Sequence, residues 1–577
     1  MHINRYISPD CFYLSFSNFI SHLSKCQPDH VFKFLPILWF CIKKLIFHVA
    51  PLISLGITNP MKLLKAMATV GGLTGLSRIL GFIRDVLTAV ILGAGPIADA
   101  FIVALKLPNL FRRVTAEGAF SVSFVPMYSA KLAKDGQEEA DKFASNSFAV
   151  MTVILAPFTI LAIMAMPWII HLLAPGFEEG SERYTLAVEM TRVTFPYLLL
   201  ISLSALMGGV LNAHDKFVPF AAAPIVFNLA LIAALYFLEP MMKTGGHALS
   251  WGLFGAGVLQ FVGLLACVKM YRIRIDFKMP KFNADIKKLF KLMVPGIIGA
   301  GVVHINLFVD IIIASTLPEG SISYLYYADR LNQLPLGMVG IAVGTALLPM
   351  LSRTMAGEQA EEAKNLFNRA LEICLILALP AAVAMLIAAG PLIKALFQYG
   401  NFGAEDAQIT AYVLMGYALG VAPYVCGKVF STAYYAQHDT VTPVKIAVAC
   451  ALTNIALALV LIQFMGAAGI ALSTGVCGWL QFALFIRGLK SNDKTGFDAR
   501  FKHNLPRIVF ASCIMAAVLA TVAHYSSGYY DGSKIEKIVA LSVLVASGLA
   551  TYSLAILGTG AIKIQDIKKV FARKKAS

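Results

Sequence analysis

Long apolar runs dominate the chain from residue 67 to residue 560. A run of about 20 apolar residues forms a helix that crosses the roughly 30 Å hydrocarbon core of a bilayer, at 1.5 Å per residue. The alternating pattern of a membrane β-barrel does not occur in the sequence. Only 14% of the residues are charged and 58% are hydrophobic, whereas about a quarter of the residues of a soluble domain are charged. The sequence therefore predicts an all-α polytopic membrane protein.

We count 14 transmembrane helices in these runs. They cover residues 67–93, 97–120, 146–173, 188–212, 217–238, 248–270, 292–317, 321–350, 364–397, 407–433, 441–464, 466–488, 506–525 and 536–560. The loops at 269–291 and 487–507 and the tail after residue 562 are basic, and the positive-inside rule places them in the cytoplasm. Both termini are then predicted to be cytoplasmic.

The net charge of +16 is concentrated in these loops, so we expect no nucleic-acid partner; anionic lipid headgroups are an alternative partner for the same loops. The nine cysteines show no metal-ligand spacing, and most of the later ones lie in predicted spans, so we expect neither a cysteine metal site nor disulfides. No P-loop, HExxH or GxSxG motif occurs. The sequence thus favours a transporter that does not hydrolyse ATP over an enzyme.

Residues 1–60 differ in composition from everything that follows. They lack the basic, apolar and small-residue succession of a signal peptide, whereas Met61-Lys-Leu-Leu-Lys is typical of a cytoplasmic start just before a first span. We expect translation to begin at Met61. The alternative is that residues 1–60 form a peripheral or additional membrane anchor.

Local patterns recur along the chain at a nearly constant offset. Pro126-Met-Tyr-Ser returns as Pro349-Met-Leu-Ser, an offset of 223, and His214-Asp returns as His438-Asp, an offset of 224. Recurrence in the same order indicates two copies of one six-helix unit, with a cavity between them and a repeat axis along the membrane normal. The predicted domains are an extension at 1–60, an N-lobe at 61–290, a C-lobe at 291–490, and two further helices with a basic tail at 491–577.

Charged residues interrupt the first, second and eighth predicted helices. Arg78, Arg84 and Asp85 lie in the first, Arg112 in the second and Arg330 in the eighth. An Arg or Asp at the centre of a membrane helix costs about 2.5–3.5 kcal/mol, so such residues usually face a polar cavity. Because guanidinium groups bind phosphate oxygens bidentately, we expect an anionic substrate, a diphosphate above all. The structural alternatives are snorkelling for Arg112, ion pairing for Arg84–Asp85 and Asp329–Arg330, and membrane anchoring for Arg192 and Lys428.

A second group of polar residues lies in the predicted C-lobe. Asp310, Asn454 and Thr474 carry oxygen atoms that suit Na⁺ or a proton relay. Hydrogen bonds between helices are the alternative role for Asn454 and Thr474.

Several of these segments resemble motifs of the MurJ/MviN lipid II flippases of the MOP exporter superfamily. The resemblance extends from Met61 to about Val570 and is most specific in Ser77-Arg-Ile-Leu-Gly-Phe-Ile-Arg-Asp, Lys106-Leu-Pro-Asn-Leu-Phe-Arg-Arg, Tyr326-Tyr-Ala-Asp-Arg-Leu, Leu396-Phe-Gln-Tyr-Gly and Thr442-Pro-Val-Lys-Ile. It implies two six-helix lobes and two C-terminal helices that form a groove for a lipid tail. It also implies transport of an undecaprenyl-diphosphate-linked disaccharide-pentapeptide, lipid II, to the outer leaflet of the bacterial inner membrane for peptidoglycan synthesis.

The resemblance also assigns roles to individual positions. The substrate-binding positions that it implies are Arg78, Arg84, Asp99, Asn109, Arg112, Ser323, Arg330 and Gln333. Some members have a glutamate where this chain has Gln333. A sodium site of part of the family falls on Asp310, Asn454, Ile470 and Thr474, with Ala458 at the position of a further acidic ligand.

The resemblance predicts alternating access driven by Na⁺, protons or the membrane potential. The expected partners are lipid II, membrane lipids and other cell-wall synthesis proteins. Alternative functions are export of another lipid-linked oligosaccharide or an amphipathic drug, a membrane-embedded enzyme acting on lipid diphosphates, and a non-transporting scaffold.

Overall fold

The computed structural model describes residues 60–113, 120–276, 279–356, 360–489 and 496–562. Residues 1–59 of the predicted extension and the basic tail after residue 562 lie outside this part. Within it the chain forms 18 α-helices, two short 3-10 helices at Glu239–Met241 and Ser527–Asp531, and no β-strand. The all-helical class predicted from the sequence is confirmed.

The helices of the first half end near residue 270. They are α1 (Pro60–Leu92), α2 (Pro96–Phe111), α3 (Ser121–Lys134), α4 (Gly136–Met164), α5 (Met166–Leu173), α6 (Glu182–Thr194), α7 (Tyr197–Ala213), α8 (Val218–Phe237) and α9 (Gly245–Met270).

The second half contains seven helices, and a final pair follows it. They are α10 (Ala284–Ser315), α11 (Ser321–Ala356), α12 (Ala360–Ile387), α13 (Ala389–Phe397), α14 (Ala404–Ala436), α15 (Val441–Met465), α16 (Ala467–Leu489), and the pair α17 (Ala499–Tyr525) and α18 (Lys534–Gly558).

Three predicted spans are each divided into two helices. The predicted span 146–173 contains the junction of α4 and α5, 188–212 contains that of α6 and α7, and 364–397 contains that of α12 and α13. Pro167 and Pro391 lie within the first three residues of α5 and α13. Proline has no backbone N–H and clashes with the preceding turn, so the helix restarts there instead of continuing.

Side chains cap several of the helix starts. Asn283 accepts a hydrogen bond from the Ile286 amide (3.0 Å) at the start of α10, and Asp498 accepts one from the Phe501 amide (2.6 Å) at the start of α17. Ser533 and Glu536 form a capping box at α18. Each cap satisfies an amide that the helix itself leaves without an acceptor.

Ten helical segments of the described residues are long and apolar enough to cross a membrane. They are α4, α6 with α7, α8, α9, α12, α14, α15, α16, α17 and α18. Large apolar side chains such as Trp168, Phe464 and Leu554 are exposed on these segments or beside them. The chain is therefore a multi-span membrane protein.

The packing places corresponding helices of the two halves around a shared core. Helices α4, α5 and α8 begin at residues 136, 166 and 218, and α12, α13 and α15 begin at 360, 389 and 441, offsets of 223–224. Helix α14 packs against α11, α12 and α16, while α8 packs against α1 and α9. The pair α17–α18 packs on the outside of the second half, against α12 and α13.

Candidate functional site

A cavity of about 1580 Å³ lies between the two halves. Helices α1, α2 and α8 form the wall from the first half, and α10, α11, α14, α15 and α16 form the wall from the second. Seven predicted site residues line it: Arg78, Arg84, Arg330, Gln333, Asp310, Asn454 and Thr474. The fold thus gathers residues that are separated by up to about 400 positions in the sequence.

Asp85 joins the two central arginines of this cavity. Its Oδ1 accepts from Arg84 Nη2 (2.6 Å) and from the Tyr326 hydroxyl (3.0 Å), and its Oδ2 lies 3.5 Å from Arg330 Nε. The Arg330 guanidinium also lies over the Tyr326 ring, at 4.3 Å from its centroid. One carboxylate therefore faces two guanidinium groups on different helices, and the cluster keeps a net positive charge.

Asn228 fixes the other side of Arg84. Its Oδ1 accepts from Arg84 Nη1 (2.8 Å), and its Nδ2 donates to the Ser77 carbonyl (2.9 Å). The Asn228 amide lies beside Gly81 of α1, 3.4 Å from where a Cβ on that glycine would be. Sequence reasoning missed Asn228, because one amide in an apolar span is not distinctive.

Arg78 lies nearer the start of α1 than Arg84 does, and its guanidinium packs against α11. A Cβ on Gly337 would lie 2.3 Å from Arg78 Nη1, so this glycine leaves the space that the guanidinium occupies. Gln333 donates to Asp329 through its Nε2 and also lines the cavity. Further charged residues on the wall are Lys106, Arg113 and Lys428. The prediction that Lys428 is a membrane anchor is wrong, because the structure places its side chain on the cavity wall.

Asn109 and Arg112 are not among the lining residues. Asn109 Nδ2 donates to the Leu105 carbonyl (2.8 Å), and its Oδ1 accepts from Arg112 Nε (3.1 Å), near the end of α2. Their neighbour Arg113 reaches the cavity instead. Helical geometry explains the difference, because consecutive residues point about 100° apart.

Asp99 and Ser323 meet at one end of the bundle, which we call the Asp99 end. Asp99 is fully buried and accepts from the Gly320 amide (2.8 Å), the Ser323 amide (2.9 Å) and the Ser323 hydroxyl (2.6 Å). Asp99 of α2 thus caps the start of α11 in the other half of the molecule. Arg183 of α6 lies 3.9 Å from Asp99 and donates to the Leu317 carbonyl (3.3 Å).

The end of α1 is hydrogen-bonded to the second half of the chain at the Asp99 end. The Val90 carbonyl accepts from the Asn401 amide (2.9 Å), the Ile91 carbonyl from Asn401 Nδ2 (2.6 Å), and the Gly93 carbonyl from the Tyr327 hydroxyl (3.0 Å). The last carbonyls of a helix receive no hydrogen bond from an amide of the same helix. Here the second half of the chain supplies the donors. The Asp99 end is closed by hydrogen bonds between the two halves.

The predicted sodium ligands of the second half lie together in part. Asn454 Oδ1 accepts from the Ser473 hydroxyl (2.9 Å) and lies 3.5 Å from the Thr474 hydroxyl, which donates to the Ile470 carbonyl (3.1 Å). Asp310 lines the same cavity, and its buried Oδ1 accepts no hydrogen bond from the described residues. These are hard oxygen atoms of the kind that suits a small cation.

The cavity extends from the closed end toward the opposite end of the bundle. Tyr435 at the end of α14 and Pro443 at the start of α15 both line it. The turn that joins these two helices contains His438, and the equivalent turn of the first half contains His214. We call this the His214 end. A positively charged cavity closed at one end is suited to binding an anion that enters from the other.

Comparison with known proteins places the chain among transport proteins. A family model described as lipid II flippase MurJ matches residues 88–540. A probable lipid II flippase MurJ of Rhizobium meliloti (strain 1021) is 38% identical over 519 residues, which are 89% of this chain and 97% of that protein. The lipid II flippase MurJ of Burkholderia cenocepacia is 33% identical over 522 residues, 89% of this chain and 100% of that protein.

Solved structures show the same relationship. A lipid II flippase MurJ in an inward closed conformation matches with a TM-score of 0.70 and 28% identity, over 84% of this chain and 98% of that one. An inward-facing multidrug resistance MATE family transporter of the MOP superfamily matches with a TM-score of 0.61 and 14% identity, over 72% of this chain and 95% of that one. The second match is evidence for the fold alone.

Proposed function

Because the chain belongs to the lipid II flippase MurJ family, we propose that it moves lipid II from the inner to the outer leaflet of the bacterial inner membrane. It is a transporter and not an enzyme. Its role is to supply the precursor of peptidoglycan, and other proteins of cell-wall synthesis are its expected partners.

The arginine cluster at the cavity centre is the observation that carries this proposal. Arg84 and Arg330 share a single carboxylate, Asp85, and Arg78 lies on the same wall. A diphosphate brings the negative charge that this cluster lacks, and its oxygens match the donor geometry of guanidinium groups. The polyprenyl chain would remain in the lipid while the headgroup occupies the cavity.

Alternating access is the mechanism that the geometry supports. The closed Asp99 end lies beside acidic residues such as Glu182, Glu319 and Glu405, whereas the His214 end lies beside basic residues such as Arg272 and Lys288. The positive-inside rule then places the His214 end and both termini in the cytoplasm. The headgroup enters from the cytoplasm, the cytoplasmic side closes over it, and the hydrogen bonds at the Asp99 end break to release it outward.

We assign fourteen crossings to the chain. They are the ten apolar segments together with α1, α2, α10 and α11, which carry most of the charged residues of the cavity wall. In this arrangement two lobes, 61–290 and 291–490, rock about the headgroup. The outer pair α17–α18, within 491–577, forms with α12 and α13 a surface for the lipid tail, consistent with its packing on the outside of the second half.

Na⁺ is the coupling ion that we propose. Asp310, Asn454 and Thr474 would hold it through side-chain oxygens, and Ile470 through its backbone carbonyl. The buried Asp310 Oδ1, which accepts no hydrogen bond from the described residues, fits this role. The ion would supply the energy of its gradient, and its binding would bias the second lobe toward one state of the cycle.

Depletion of the protein tests the function directly. Lipid II exposed on the outer leaflet should fall when the protein is removed from cells that have no second flippase. Unchanged exposure would contradict the proposal. Recovery of a different lipid-linked oligosaccharide in place of lipid II would point to another exporter function.

The arginine cluster is tested by substitution in the same cells. Arg84→Ala and Arg330→Ala should abolish complementation while the protein still inserts, because each removes a guanidinium from the diphosphate site. Arg487→Ala is the matched control, since Arg487 is exposed at the end of α16 and does not line the cavity. Normal growth of both cluster variants would reject the diphosphate site.

A further inference from the structure

One face of α14 lines the cavity over three helical turns. Tyr424, Gly427, Lys428, Ser431 and Tyr435 all belong to the wall. Their spacing of three or four residues places them on one side of the helix. The face is polar and carries a single charge, that of Lys428.

Gln481 of α16 completes this surface. It lines the cavity, and its Oε1 lies 3.7 Å from where a Cβ on Gly427 would be. Gln481 therefore lies beside the lysine face. An ammonium group, three hydroxyl groups and an amide thus line the same part of the cavity. The Tyr424 hydroxyl donates to the Thr474 carbonyl (3.0 Å) and the Ser431 hydroxyl to the Gly427 carbonyl (2.9 Å).

Lys428 on this surface lies nearer the His214 end than Arg330 does. Helices α11 and α14 pack along each other, and the Tyr324 hydroxyl donates to Asp406 (2.8 Å) near the start of both. At 1.5 Å per residue, Arg330 lies about 9 Å along α11 from this contact and Lys428 about 33 Å along α14. The two charges are separated by about 24 Å along the cavity.

The carboxylates of the cavity wall do not neutralise Lys428. Asp85 contacts Arg84 and Arg330, Asp329 precedes Arg330 in sequence, and Asp310 lies five residues before the end of α10 at the Asp99 end. All three are near the arginine cluster. Lys428 forms no ion pair with any residue that the structure describes, and its side chain is exposed to the cavity.

We propose that Lys428, with Ser431, Tyr435 and Gln481, forms a second anion subsite, which binds a carboxylate on the peptide of the carried headgroup. The proposal rests on the proposed function, because it takes the headgroup to be that of lipid II. Five extended residues reach about 17 Å, and the sugar between diphosphate and peptide adds to this reach. The arginines then bind the diphosphate, and the lysine face selects lipids that carry an acidic peptide.

Binding of two lipids to the purified full-length protein in nanodiscs tests the subsite. Lipid II carries the peptide, whereas undecaprenyl diphosphate has the diphosphate alone. Lys428→Met should weaken lipid II binding about tenfold and leave undecaprenyl diphosphate binding unchanged. Lipid II with amidated peptide carboxylates should bind the unmodified protein about as weakly as ordinary lipid II binds Lys428→Met. The Lys428→Met change should not weaken the binding of the amidated lipid any further.

The controls separate this proposal from the proposed function. Lys269→Met removes an exposed lysine at the end of α9 that does not line the cavity, and it should bind both lipids normally. Arg330→Ala should weaken both lipids. An equal loss for both lipids in Lys428→Met, or no loss for either, would overturn the subsite. Failure of the unmodified protein to bind lipid II would instead contradict the proposed function.

Discussion

Asp85 balances the charge of the cavity centre. Its side chain is almost fully buried and contacts Arg84 on its own helix and Arg330 on α11. Breaking a buried pair leaves an uncompensated charge, which typically costs about 3–5 kcal/mol. Asp85 is thus a member of the cluster in its own right, and it also sets how much positive charge is left for a substrate.

A pair of variants separates stability from transport at this position. Asp85→Asn leaves two guanidinium groups facing each other and should lower the free energy of unfolding by about 3–5 kcal/mol. Arg84→Gln combined with Asp85→Asn leaves one guanidinium, so its loss of stability should be smaller, yet neither variant should complement. Thermal unfolding in detergent and growth after depletion measure the two effects. A double variant less stable than Asp85→Asn would contradict the charge-balance role.

His214 lies in the turn between α7 and α8, outside the spans. Its Nε2 is 2.9 Å from the Tyr128 hydroxyl, which also lies 3.3 Å from Asp141 Oδ1. Burial lowers the pKa of His214, and the neighbouring Asp141 carboxylate opposes this shift only partly. Burial also raises the pKa of the Tyr128 hydroxyl, which stays protonated at neutral pH.

The lowered pKa of His214 predicts a loss of stability in acid. Below the ordinary histidine pKa of about 6.5, the unfolded chain binds a proton that the folded chain binds only at lower pH, so folding weakens as pH falls. The melting temperature should therefore drop less between pH 7.5 and pH 5.5 in His214→Gln than in the unmodified protein. His171→Gln, at an exposed site, is the control and should behave like the unmodified protein. Equal drops in melting temperature in His214→Gln and His171→Gln would contradict the prediction.

Two glycines let the loops of the Asp99 end approach each other. Gly93 and Gly400 have positive φ, 69° and 58°, a region that favours glycine. A Cβ on Gly93 would lie 2.5 Å from the Asn401 carbonyl, and a Cβ on Gly400 would lie 2.4 Å from the Val90 carbonyl. The hydrogen bonds of Asn401 to the end of α1 depend on this close backbone contact.

Gly400→Ala should therefore open the Asp99 end. The added methyl group clashes with the Val90 carbonyl, so the closed state is disfavoured and transport should fall at least about tenfold, the effect of about 1.4 kcal/mol. With the native cysteines replaced, Leu325→Cys on the cavity wall should be labelled faster by an impermeant maleimide from outside the cell. Gly390→Ala is the control, because no heavy atom lies within 4 Å of its Cβ position. Unchanged labelling in Gly400→Ala would show that this contact does not hold the end closed.

At the scale of the whole molecule, both halves contribute cationic groups to one cavity. Arg78 and Arg84 come from the first half and Arg330 from the second, whereas the candidate cation ligands Asp310, Asn454 and Thr474 all come from the second. In the proposed mechanism, a cation held by the second half and a diphosphate held mainly between the halves influence each other through the relative position of the lobes. Such coupling requires that the ion prefer one lobe arrangement over the other.

The sodium proposal predicts how transport responds to Asp310. Lipid II transport into proteoliposomes should rise with a Na⁺ gradient in the unmodified protein, and Asp310→Asn should abolish the dependence because it removes the carboxylate ligand. Asp135→Asn, at an exposed carboxylate between α3 and α4, should retain it. If transport by the unmodified protein does not depend on Na⁺ but follows a pH gradient, the coupling ion is the proton and the sodium proposal is wrong.

The sequence by itself determined the helical membrane class and the presence of charged residues that need a polar cavity, because apolar length and the cost of a buried charge are properties of short segments. It did not determine which polar and charged side chains share the cavity. Asn109 and Lys428 show this, since the direction of a side chain depends on helix rotation and neighbouring helices. Only the tertiary structure placed Asp85 between arginines of two helices and joined Asn401 to the end of α1, because both contacts need segments far apart in the chain to meet.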